Sequence, residues 1–168
     1  MKRLSLLKNI VSIFFVLCMV GLFFGLPLII MLGLFPEKIP FPIDDRPATE
    51  AGLAEILLYL AEYVAMLCFV YALYLFKKTL VLFEKKRIFS VEVIALLNKT
   101  GKAIVAGCVI DAVSIIVFDA VVEGSFESSI ENMLDSTLLI LGLGLFFIVL
   151  GDVFAMAKQL KEENDLTV

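Results

Sequence analysis

Apolar and small uncharged residues fill the chain from Asn9 to Pro36, and three further runs of the same character follow, separated by short stretches rich in charge or proline. About 20 such residues cross the hydrocarbon of a bilayer as a helix. The pattern predicts an all-α integral membrane protein in which one domain, residues 1–168, holds four spans. They lie at about Ile10 to Leu34, Ile56 to Phe76, Ala103 to Val122 and Leu138 to Ala157. The first run is longer than the apolar core of a secretory signal, about 7 to 15 residues, and no small-residue cleavage site follows it, so it reads as a retained span. Gly21 and Gly25 within it are spaced to admit another helix of the chain closely, and Pro27 removes one backbone donor.

The connections carry their own signals. Residues 35–55 hold Pro36, Pro40, Pro42 and Pro47, and closely spaced prolines predict an extended, semi-rigid loop. The second helix is expected to continue past its span through Phe83, with Lys77 and Lys78 snorkelling to the headgroups. At Phe89-Ser90-Val91-Glu92-Val93-Ile94 the chain has a good N-cap in Ser90, an acid in the first turn, and Phe89 and Ile94 at the two positions of a hydrophobic staple. A helix is predicted to start there, below the membrane interface, and to feed the third span. Residues 123–137 place Phe126, Ile130, Met133 and Leu134 on one helical face and Glu127, Glu131 and Asp135 on another, predicting a short amphipathic helix in the second outer loop.

Charge turns this chain of spans into two oriented hairpins. The N-terminus, the stretch Lys77 to Lys102 and the tail carry three, seven and two of the 14 basic residues, against two in the other loops, which hold nine acids. Basic residues are retained on the cytoplasmic side, so both termini and the central stretch are expected inside. Composition agrees: 61% of residues are hydrophobic and the mean hydropathy is +1.04, where an ordinary soluble domain has about 45–50% apolar residues.

Candidate chemistry narrows quickly. Histidine is absent, which excludes Ser-His-Asp and Cys-His nucleophilic sites and His-ligated zinc or haem within this chain. Cys18, Cys68 and Cys108 stand singly inside apolar runs, as packing residues do. No cofactor, metal site or enzyme signature is expected. An acid within the bilayer is a functional-site hypothesis by default, and Glu62, Asp111, Asp119 and Asp152 qualify. Asp119 and Asp152 read as interfacial. Glu62 and Asp111 are deeper, and with no Lys or Arg in any span they need protonation, donors such as Tyr63, Tyr71 or Ser114, or a wet cavity. Packing hydrogen bonds are the plainer role for them, and a proton or cation path the sharper one. Lys85, Lys86 and Arg87 suit anionic lipid or an acidic cytoplasmic partner. A turn interleaved with Leu80, Val81, Leu82 and Phe83 offers no groove-reading element, so direct nucleic-acid binding is not expected.

Arg87-Ile88-Phe89-Ser90 leading into Val91-Glu92-Val93-Ile94-Ala95-Leu96-Leu97, with a tail reading Leu160-Lys161-Glu162-Glu163-Asn164-Asp165-Leu166-Thr167-Val168, resembles the four-span proteins catalogued as domain of unknown function 2975. The resemblance covers nearly the whole chain and carries over no catalytic residue. It implies a bacterial inner-membrane setting and, as a partner, a small helix-turn-helix regulator of the Xre type. The expectation is a non-enzymatic, membrane-anchored regulatory or interaction protein. The alternative is a small channel, transporter subunit or immunity-type membrane protein using Glu62 and Asp111. Homo-oligomers are compatible with either reading.

Overall fold

The computed structural model describes residues 2–43, 46–118, 120 and 127–166, with the side chains of residues 2, 127–136, 165 and 166 outside the described part. Helix α1 spans Lys2–Leu34, α2 Leu53–Glu84, α3 Val91–Phe118 and α4 Glu127–Leu166. All four are long and apolar enough to cross a membrane, which makes this a multi-pass membrane protein. Apart from an isolated bridge between Ile43 and Arg46, the described residues form no strand. The 40 residues of α4 reach about 60 Å at 1.5 Å per residue, more than the roughly 45 Å of a bilayer with its headgroups. This helix therefore projects beyond the hydrocarbon.

Consecutive helices run antiparallel, and α3 sits between α2 and α4. Its packing follows from small residues. Apolar side chains gain little by leaving lipid for protein, so membrane helices associate where their backbones can approach closely. A Cβ placed on Gly101 would lie 2.5 Å from the Gly144 carbonyl oxygen, and one on Gly107 would lie 2.8 Å from the Phe69 ring. Gly151 gives the same room to Asn98. The core gathers Ala72, Leu82, Val93, Leu97, Ile104, Cys108 and Phe147 from the three helices. Val93 and Leu97, 0% and 1% exposed, put its most enclosed part in the first turns of α3.

Helix α1 is attached to α2 alone along most of its length. Phe15 meets Tyr74 at 6.0 Å between ring centroids; a Cβ placed on Gly25 would lie 3.4 Å from the Tyr63 ring, and one on Gly21 would meet nothing within 4 Å. Only the second glycine of that pair therefore serves packing within the chain. Phe14, Leu17, Phe23 and Phe24 of α1 are exposed, as lipid-facing side chains are.

Two expectations for the connections change in detail. The proline-rich loop is ordered, but by two 3₁₀ turns, Pro36–Lys38 and Ala48–Glu50, and by paired backbone bonds between Ile43 and Arg46. Proline at the start of a 3₁₀ turn lacks only a donor that would be idle there. Leu32, Ile39 and Ala48 form a second small core under this loop. Residues 127–136, where a short amphipathic helix of the second outer loop is expected within 123–137, are the opening turns of α4 and no separate element. Residues 121–126 and Asp119 lie outside the described residues.

Candidate functional site

The turn between α2 and α3 is built by the two helix ends that flank it. Helix α2 closes with the Arg87 N–H on the Leu82 carbonyl at 3.1 Å and the Lys86 N–H on the Phe83 carbonyl at 3.0 Å. This is the Schellman pattern, which places one residue in the left-handed region. That residue is Lys86, at φ 60°, where glycine is usual and an L side chain is strained. Ser90 then caps α3: the Val93 N–H donates to its Oγ at 3.3 Å and the Ile94 N–H to its carbonyl at 3.2 Å. The cap read from the sequence is present. The Phe89 ring meets Phe154 of α4 at 5.6 Å, and Phe83 stacks on the same ring at 5.9 Å and 12°. The turn is thus clamped by an aromatic trio drawn from three parts of the chain. Lys85, Lys86 and Arg87 project from it, all exposed.

Further basic residues gather at this end. Lys8 of α1 pairs with Glu84 at 2.6 Å, which fixes the start of α1 beside the end of α2. Lys77 lies 5.3 Å from the Phe15 ring centroid and Lys78 4.8 Å from that of Tyr74, both in cation–π range. Asp152 is exposed on α4, next to Gly151 where that helix meets Asn98. It stands two residues before Phe154, whose ring packs on Phe83 and Phe89 at the basic end.

The two deeper acids stand in the other half of the molecule. Phe69 faces Gly107, so in antiparallel helices Asp111 is level with Ala65 and Glu62 with Ser114, about one helical turn apart along the axis. Their surroundings differ. Asp111 is half-buried on α3, one turn from buried Cys108. Glu62 lines a groove of about 650 Å³ between α1, α2 and the proline-rich loop, together with Gly21, Gly25, Phe41, Tyr59 and Tyr63. Two of the expected donors give their hydrogens to backbone carbonyls: Tyr63 to Leu22 at 3.1 Å and Ser114 to Ile110 at 2.7 Å.

At the loop end Glu55 ties the loop to α2. Its carboxylate accepts from the Gly52 N–H, forming the reaching-back half of a capping box, and it stands 3.8 Å from Arg46. No group of three or more His, Cys, Asp or Glu side chains with metal-binding geometry occurs among the described residues. The left-handed Lys86 and the Phe154 clamp had no signal in the sequence. The first needs the backbone of the turn, and the second needs the register of α4 against α2.

The curated proteins contain no match to this chain, and neither do the solved structures. A family model does match, over residues 2–168. With four membrane-length helices and a match along essentially its whole length, the chain belongs to the family described as "Protein of unknown function (DUF2975)".

Proposed function

We propose that this chain is a non-enzymatic protein of the bacterial inner membrane, with both termini and the Lys85-Lys86-Arg87 turn in the cytoplasm, and that the turn docks an acidic face of a soluble partner. The resemblance implies a partner class: a small helix-turn-helix regulator held at the membrane. The supporting observation is the presentation of the turn. The backbone that carries three exposed basic side chains is held between a closed helix end, a serine cap and stacked rings. A lipid surface asks only for charge, worth about 1 kcal/mol per basic residue. A fixed geometry adds what a protein partner recognises, because less ordering is needed on binding.

The test is capture from native membranes. The triple variant Lys85→Gln, Lys86→Gln, Arg87→Gln leaves Lys77, Lys78, Lys99 and Lys102 to hold the topology. Its expected result is full insertion with loss of the co-purifying regulator, while the unaltered protein retains it less well as salt rises. Capture of the regulator by the triple variant at the level of the unaltered protein contradicts the reading.

The groove beside Glu62 favours a second reading, a small channel or transporter subunit. On that reading Asp111→Asn abolishes a flux in reconstituted vesicles without unfolding the protein. An Asn variant that unfolds marks the acid as structural.

A further inference from the structure

The groove between α1, α2 and the proline-rich loop has a composition that specifies an occupant. It is lined by Phe24, Leu28, Ile29, Leu32 and Met66, with Phe41, Pro42 and Ile43 contributed by the loop. Glu62 is the one acid among the described residues that line it, no base is among them, and the rings of Tyr59 and Tyr63 flank Glu62 in sequence and in the groove. The volume, about 650 Å³, lies in the range of small-molecule sites, about 300–1,000 Å³. The α1 wall of the groove carries two glycines: a Cβ on Gly21 would meet nothing within 4 Å, and one on Gly25 would lie 3.4 Å from the Tyr63 ring.

We infer that this groove binds a lipophilic organic cation, a molecule with one positive centre and an apolar body. Charge complementarity with Glu62, beside two tyrosines that line the same groove, selects the positive centre. The apolar walls accept the body, and the low polarity of the site strengthens the ion pair relative to water. This site is independent of the docking turn, which lies at the opposite end of α2.

The experiment measures saturable binding of radiolabelled tetraphenylphosphonium to the full chain in phosphatidylcholine nanodiscs, with empty discs subtracted. The unaltered protein is expected to bind saturably. Glu62→Gln should weaken binding about tenfold or more, the equivalent of about 1.4 kcal/mol, while Glu62→Asp keeps most of it and guards against a loss that is only structural. Gly21→Leu puts a side chain into the groove at a point where a Cβ meets nothing within 4 Å and should abolish binding. Gly142→Leu, on open α4 surface, should leave it unchanged. Thermal unfolding of each variant reports its fold. Three results overturn the inference: no saturable binding, equal binding by a folded Glu62→Gln variant, or displacement of the probe when phosphatidylethanolamine replaces phosphatidylcholine. The last would assign the groove to a bilayer amine lipid.

Discussion

Lys86 and Ser90 show how single residues shape the basic turn, one against its preference and one with it. Serine at an N-cap supplies an oxygen to an otherwise idle backbone donor, and its loss costs about 1 kcal/mol. Ser90→Ala is expected to lower stability by that amount in equilibrium unfolding in detergent. Lysine at φ 60° carries a penalty of about 1 to 2 kcal/mol that glycine avoids. Lys86→Gly should therefore raise the unfolding midpoint, and a midpoint that falls would show that the Lys86 side chain makes a contact worth more than the strain. Ser90 was legible in the sequence because its chemistry is local. Lys86 was not, since nothing about a lysine announces a left-handed backbone. The intramembrane acids fall between these cases. Glu62 and Asp111 could be found from hydropathy alone, but hydropathy does not say where the hydroxyls of Tyr63 and Ser114 donate, which is to the backbone carbonyls of Leu22 and Ile110. A carbonyl of the same or a neighbouring helix competes with a carboxylate for such donors, and here each hydroxyl donates to one.

Among the elements, α3 holds the bundle together and α1 is an appendage. Gly101 and Gly144 set the distance between α3 and α4, and a larger side chain there must push two backbones apart. Overpacking of this kind costs about 1 to 3 kcal/mol or more. Gly101→Leu is expected to lose at least that much stability, whereas Gly142→Leu, facing open space, should be close to neutral; comparing their thermal unfolding in detergent checks both. Helix existence and approximate position were legible throughout, because 20 apolar residues in a row leave few alternatives. Helix ends were less so. Helix α1 begins at Lys2 and α4 ends at Leu166, well beyond the apolar runs, since charged residues with good helix propensity continue a helix into the headgroups and water. The pairing of glycines was legible only as a type: Gly21 and Gly25 carried the familiar spacing, yet the closest approach is at Gly101 and Gly144, which lie on different helices and share no local pattern.

At the scale of the whole molecule, the described residues are polarised along the helix axes. One end gathers Lys8, Lys77, Lys78, Lys85, Lys86 and Arg87 over the tightest core, and the other carries an ordered loop and an open groove beside Glu62. The docking proposal requires the basic end to be cytoplasmic. Thiol labelling in intact cells tests that most directly: with Cys18, Cys68 and Cys108 replaced by alanine, Arg87→Cys and Thr49→Cys are each exposed to a membrane-impermeant maleimide. The account predicts that, in spheroplasts, Thr49→Cys reacts and Arg87→Cys reacts only after the membrane is opened. Labelling of Arg87→Cys in sealed spheroplasts would place the basic turn outside and contradict it.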